Sequence, residues 1–263
     1  MKWQFNSFAQ TDLGLVREGN EDSAIYGANL IAVADGMGGH AGGEVASAIA
    51  INALAQLLPV ISDPEIDIDS REDLFLNITY EIDSQILEKS KQNPELAGMG
   101  TTLTALNISG NNVELLHIGD SRCYRYRDNK LEQLSYDHTV MQELLDQGRL
   151  TPEEVFDHPQ RSLLTQALMG DSGLDPILVS YEIKADESIL LSSGYGDVDC
   201  KLLNTEGSCR LNLSTGFGKL NIKGKELDIE STKKIQYGKG PTSVIASSSF
   251  GNVKIRFSEI FIK

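Results

Sequence analysis

Residues 30–47 read Leu30-Ile31-Ala32-Val33-Ala34-Asp35-Gly36-Met37-Gly38-Gly39-His40-Ala41-Gly42-Gly43-Glu44-Val45-Ala46-Ser47. A short apolar run ends on Asp35-Gly36, the pattern of a buried strand meeting a turn. A Gly-rich turn follows. Over residues 44–58 the apolar positions Val45, Ile49, Leu54, Leu57 and Leu58 recur with helical spacing, and Pro59 reads as the stop. One acid is therefore carried by a strand and exposed by a turn. The glycine run lacks the Gly-Lys-Ser/Thr of a nucleotide P-loop.

Outward from this stretch, residues 3–8 alternate weakly and read as a strand. Residues 60–70 are polar and acidic and read as a loop. Residues 72–91 predict a second amphipathic helix, with Leu74, Phe75, Ile78, Ile82 and Ile86 on one side. The period then changes. Residues 101–108, 113–118 and 123–127 read as strands, with Gly110-Asn111-Asn112 as a hairpin turn. Residues 140–147 predict a short helix closed by Gly148, and Thr151-Pro152-Glu153-Glu154 a capped helix start. Residues 177–191 read as two more strands. Separate runs of strands and helices favour α+β layers over repeated βαβ units.

The chain has 263 residues, 40% hydrophobic and 23% charged, which excludes a collagen, a disulfide scaffold and wholesale disorder. Its net charge of −15 argues against a nucleic-acid binder and against an anionic-lipid surface. That charge is uneven. Residues 1–190 hold 12 Lys+Arg and 31 Asp+Glu, whereas residues 191–263 hold 11 and 7. Such asymmetry predicts two modules. Three cysteines without a CxxC pair suggest reduced thiols and a cytoplasmic setting. The first residues lack the apolar core of a signal peptide, and no run reads as the roughly 18 apolar residues of a membrane span.

Past residue 191 the helix signals stop. Ser192-Ser193-Gly194-Tyr195-Gly196-Asp197-Val198, Ser214-Thr215-Gly216-Phe217-Gly218-Lys219-Leu220 and Ser247-Ser248-Ser249-Phe250-Gly251-Asn252-Val253 are alike. Repeated small-small-aromatic-Gly turns between short strands predict a stacked β module. It resembles, more loosely, the repeats of a bacterial family of adhesin-like β-solenoid domains, which implies a surface for protein contact.

The chemistry lies earlier. Arg17 precedes Glu21-Asp22-Ser23, Asp35 ends a strand, and Asp120 sits in Gly119-Asp120-Ser121-Arg122 between two strands. Acids at strand ends, with glycine freeing a carbonyl, are the parts of a Mg²⁺ or Mn²⁺ site, and an arginine beside them can hold a phosphate. Each cluster alone also fits a solvated acidic loop. In this order, together with Thr11 to Arg17, Gly98-Met99-Gly100-Thr101-Thr102, His117-Ile118, Asp137-His138-Thr139, His158-Pro159 and Leu163 to Leu168, they resemble the bacterial metal-dependent Ser/Thr protein phosphatases of type 2C.

The resemblance covers residues 1–191. It implies a four-layer α-β-β-α sandwich of two antiparallel sheets flanked by helices. It also implies hydrolysis of phosphoserine and phosphothreonine in proteins at a two-metal Mn²⁺ or Mg²⁺ centre, with a third, weaker metal. By motif, Asp35 would bridge the metals, Gly36 would lend its carbonyl, Glu21 and Asp22 would hold metal and its waters, and Asp120 would hold the third ion. Arg17 would grip the substrate phosphate, and His138 and His158 would lie in the flap beside the site. His40 reads as a turn residue. Phosphoproteins and a partner Ser/Thr kinase are the implied partners.

Two family aspartates are absent. The Ser-Asp-Gly expected after the strand reads Ser192-Ser193-Gly194-Tyr195-Gly196-Asp197, and no Asp-Asn occurs after residue 191. The chain therefore reads as residues 1–191, a phosphatase-like domain short of its last strands, fused to residues 192–263, an all-β repeat segment. One metal site is expected to be compromised and activity reduced or lost. The alternative reading is an inactive phosphatase-like domain carrying an interaction module.

Overall fold

The first strand, β1 (Asp22–Tyr26), and its neighbour β2 (Leu30–Met37) pair antiparallel, with Asp22 opposite Asp35. In this computed structural model the backbone is described throughout except for residues 1–6, 8, 10, 12–18, 28, 39–41, 64, 110–111, 128–129, 156, 171–172, 183–187, 193–197, 203–208, 218–219, 223–224, 228–234, 238–241, 251–252 and 258–263; side chains are described as far as Glu182, those of Ile68 and Ser109 excepted. The strand expected over residues 3–8 falls almost wholly outside the described residues, as do Arg17 and His40.

Helix α1 (Gly42–Ile61) starts two residues before the expected point and keeps Pro59 inside its last turn. Proline lacks one donor and so removes a single backbone bond, which near a helix end leaves the following turn intact. The Ser62 N–H still reaches the Leu58 carbonyl at 3.1 Å. By length and apolar composition α1 could cross a membrane, contrary to the expectation that no segment would. Its Ala46, Ala50, Ala53 and Leu54 instead pack into the core. Helix α2 (Ile68–Gln92) also starts early, because Asp67 caps it by accepting the Ser70 N–H at 2.9 Å. The acidic loop thus ends in a helix cap, a role short acids favour.

A 3₁₀ turn (Pro94–Leu96) leads to β3 (Gly100–Thr101), β4 (Leu103–Ser109), β5 (Asn112–Ile118), β6 (Arg122–Arg127) and β7 (Lys130–Gln133). Short helices α3 (Val140–Asp146) and α4 (Pro152–Val155) follow, then β8 (Ile177–Glu182) and β9 (Ser188–Ser192). Thr139 caps α3 through the Gln142 N–H, and Thr151 and Glu154 bond at the start of α4, where the sequence predicts a capped helix start.

One antiparallel sheet runs β1-β2-β4-β5-β8, with β3 on β2; a second runs β7-β6-β9. Alternation along the strands sorts their residues. Leu30, Ala32, Ala34, Leu103, Ala105, Leu116 and Ile118 join Leu54 of α1 and Phe75, Ile82 and Ile86 of α2. On the other face Leu106, Ile108, Val113 and Leu115 meet Cys123 of the second sheet. Burial pushes the Cys123 thiol up to about 12, so it stays protonated. The architecture is α+β, with helices on one face of the larger sheet and the smaller sheet on the other.

The chain divides into two compact units, one of Met1–Ala9 with Glu21–Ser193 and one of Gln10–Asn20 with Gly194–Lys263. The second holds β10 (Val198–Leu202), β11 (Cys209–Phe217), β12 (Leu220–Ile222), β13 (Lys225–Leu227), β14 (Ile235–Tyr237), β15 (Thr242–Phe250) and β16 (Val253–Phe257). Parallel pairing sets Phe217 opposite Phe250, and sets Val198 and Leu220 opposite Val253. These are matching positions in the three sequence repeats. The sheet order β10-β16-β12-β13 puts the strand after the third repeat between those after the first and second.

Phe75 is fully buried beneath the larger sheet. Phe75→Ala is expected to lower unfolding free energy by about 3–5 kcal/mol through lost burial and an unfilled cavity. Urea titration of the full chain followed by near-UV circular dichroism measures it. A loss below about 1 kcal/mol would contradict this packing.

Candidate active site

The β1–β2 pair gathers most of the predicted site. Glu21 immediately precedes β1, Asp22 begins it, and Asp35 and Gly36 lie on β2. Asp22 and Asp35 face each other across the two strands, a register in which like charges repel. Local backbone bonds hold the cluster. The Glu21 carbonyl accepts the Gly36 N–H at 3.2 Å and the Ser47 hydroxyl at 2.6 Å. Gly36 and Gly43 permit a backbone-to-backbone approach. A Cβ on Gly36 would lie 2.5 Å from the Glu21 carbonyl oxygen, and one on Gly43 would strike the Glu21 carboxylate and sit 2.7 Å from the Gly36 carbonyl carbon.

Hydroxyls fix Asp35 from the other side. Its N–H donates to Thr102 Oγ1 at 3.0 Å, and its carbonyl accepts the Thr102 N–H and the Thr101 hydroxyl, each at 3.0 Å. Thr102 Oγ1 lies 2.7 Å from Ser121 Oγ, beside Asp120 in the turn between β5 and β6. Asp120 is half-buried, and burial first, then the Asp137 charge, holds its carboxyl above the usual carboxylate range. Arg122 donates from Nε to both Asp137 oxygens at 2.9–3.0 Å.

His117 is fully buried, with Nε2 2.8 Å from the Tyr136 carbonyl and Nδ1 2.9 Å from Thr104 Oγ1. A carbonyl only accepts, so Nε2 carries the proton. Burial, then the neighbouring His138, pulls His117 down to about 4. His138 also turns inward. Its ring stacks on His117 at 5.2 Å and its Nδ1 accepts the Gly119 N–H at 3.0 Å. His158 lies in the segment after α4, where its Nδ1 accepts the Gln160 N–H at 3.2 Å. The buried Asp83 of α2 accepts the N–H groups of Met169 at 2.9 Å and Gly170 at 2.6 Å, tying down the segment that follows.

The structure thus brings Glu21, Asp22, Asp35 and Gly36 together and joins the Asp120 turn to them through Thr102. Among the described residues no three His, Cys, Asp or Glu side chains close into one metal-holding group. The donors present are carboxylates and carbonyls, all hard oxygens. They suit a Mg²⁺ or Mn²⁺ ion that is anchored by one or two carboxylates and keeps several waters. The roles of Thr101, Thr102, Ser121 and Gly43 were missed in the sequence. The Gly100-Thr101-Thr102 motif marks the first two, but only its contacts reveal what they hold.

The model of the protein phosphatase 2C family matches residues 20–164. The chain belongs to the protein phosphatase 2C family. It is 47% identical over 190 residues to the serine/threonine protein phosphatase PstP of Mycobacterium tuberculosis, covering 72% of this chain and 36% of that protein. The chain thus spans about a third of that relative's length. It is 35% identical over 188 residues to the protein phosphatase PhpP of Streptococcus pneumoniae, covering 70% and 75%. A crystal structure of the PstP catalytic domain in complex with two manganese ions matches with a TM-score of 0.62 and 44% identity, covering 69% of this chain and 74% of that one.

Two outcomes follow from this geometry. Gly43→Ala forces a methyl against Glu21 and is expected to cost about 1–3 kcal/mol of stability, read by urea unfolding. An unchanged midpoint would contradict the close approach. His117 binds its proton more weakly folded than unfolded, between about 4 and the ordinary 6.5. Unfolding therefore takes up a proton in that window, and stability falls as pH drops through it. His117→Gln is expected to flatten that part of the stability profile, measured by urea unfolding between about pH 7 and about pH 5.

Proposed function

We propose that this chain is a metal-dependent phosphatase acting on phosphoserine and phosphothreonine in proteins, with one metal site weakened. The observation that carries this reading is the facing Asp22–Asp35 pair on β1 and β2, held by backbone bonds and hydroxyls despite its repulsion. A cation between such groups turns the repulsion into attraction. The fold we assign to residues 1–191 is the four-layer α-β-β-α sandwich, short of its last strands. Residues 192–263 we assign to a β-repeat module for protein contact, supported by the alignment of its repeats in parallel strands. A cytoplasmic setting with a partner kinase suits this activity.

Asp35 would hold both metals and Gly36 would lend its carbonyl, Glu21 would hold one metal, and Asp120 would hold a third. When bound, Mg²⁺ or Mn²⁺ supplies a water of lowered pKa and stabilises charge on the phosphoryl oxygens. Glu21 and Asp22 would orient metal-bound water through their carboxylates. Arg17, by the family motif, would grip the phosphate through paired N–H donors. Asp83, by fixing the Met169–Gly170 backbone, steadies the segment that closes the flap region.

Missing from the sequence after residue 191 are both a Ser-Asp-Gly and an Asp-Asn. That absence also favours a second reading, an inactive phosphatase-like domain. Phosphate release from p-nitrophenyl phosphate and from a phosphothreonine peptide with Mn²⁺ separates the two. Measurable turnover well below that of a relative carrying both aspartates is expected. Asp35→Asn should cut metal affinity and turnover by about a hundredfold or more. Turnover equal to that relative's overturns the weakened site, and no turnover with no Mn²⁺ binding by calorimetry supports the inactive domain.

A further inference from the structure

Asp35 lies on β2 and Asp120 in the turn after β5, and one side chain touches both segments. The Thr102 hydroxyl accepts the Asp35 N–H at 3.0 Å and shares a 2.7 Å hydrogen bond with Ser121 Oγ. Its other branch lies against the turn. A Cβ on Gly119 would sit 2.5 Å from Thr102 Cγ2 and 2.6 Å from Thr102 Cβ. Gly119 has φ +105°, so glycine meets the turn and the close packing together. The Thr104 hydroxyl lies 2.9 Å from the Ser121 carbonyl, packing against the turn further. Thr102, Thr104, Gly119 and Ser121 are all buried, so water does not substitute for these partners.

We propose that Thr102 is a positioning residue that holds the Asp35 and Asp120 segments at one separation, through its hydroxyl to Asp35 and Ser121 and its methyl to Gly119. This rests on Asp35 and Asp120 as metal-holding residues. Valine would keep the shape of Thr102 but leave the buried Asp35 N–H without its acceptor. Serine would keep the acceptor and remove the methyl.

Amide hydrogen exchange on the metal-free full chain tests the clamp. Thr102→Val is expected to speed exchange roughly tenfold at Asp35, whose N–H loses its acceptor, with Leu116 of β5 unchanged. Thr102→Ser should keep Asp35 slow, since the hydroxyl remains, and should speed exchange at Gly119, which loses the methyl packed on it. Unchanged exchange at Asp35 in the valine variant, or at Gly119 in the serine variant, overturns the proposal. Equal acceleration at Leu116 also overturns it, because that would mark a general loss of stability. Calorimetry then adds the metal. Mn²⁺ affinity should fall about tenfold in Thr102→Val and stay within about threefold in Thr102→Ser. Equal affinity in the valine variant and the parent overturns the positioning role. A parent that binds no Mn²⁺ refutes the metal reading itself, while the exchange pattern still decides whether Thr102 joins the two segments.

Discussion

The backbone of Asp35 is bound on both sides by two adjacent threonines. Its N–H meets the Thr102 hydroxyl, and its carbonyl receives both the Thr101 hydroxyl and the Thr102 N–H. The other site features depend on that constraint. Asp35 faces Asp22 across β1 and β2, an arrangement whose charge repulsion works against the pairing. The main chain at Asp35 is therefore held by neutral donors and acceptors. On the far side, Gly36 and Gly43 bring the start of α1 against Glu21, with contacts that a single added methyl would block.

A polar layer extends from this point into the molecule. Thr102 meets Ser121, the Ser121 carbonyl meets Thr104, and Thr104 meets His117, whose far nitrogen reaches Tyr136. His138 stacks on His117 and holds the Gly119 N–H. This end of the sheet-to-sheet layer is polar, whereas the other end is the apolar cluster around Leu106, Leu115 and Cys123. The apolar end supplies burial energy. The polar end supplies direction, because hydrogen bonds fix orientation where packing alone permits sliding.

The charge break acquires a meaning from this arrangement. The acids of the assigned site lie in the strongly negative residues 1–190, and the basic excess lies in residues 191–263. The second compact unit is built of β-strands whose pairing repeats the sequence repeats. Its spatial order departs from its sequence order, which parallel pairing allows only through crossover connections.

Local patterns carried much of this. The strand ending on Asp35, the helical spacing of Ile78, Ile82 and Ile86, the Thr151 cap and the alternating strands from residue 101 are periodicities or cap chemistries that act over a few residues. The order of the acidic motifs also sufficed to place the chain in its family. What tertiary structure alone decided is where distant groups meet. Asp35 and Thr102 are 67 residues apart, and Asp83 and Met169 are 86 apart. The first turn of α1 depends on Gly43 nesting against Gly36, and the inward turn of His138 depends on a donor from Gly119. No spacing rule within the chain encodes such meetings. They arise when buried polar groups, cut off from water, must find each other across the folded sheet.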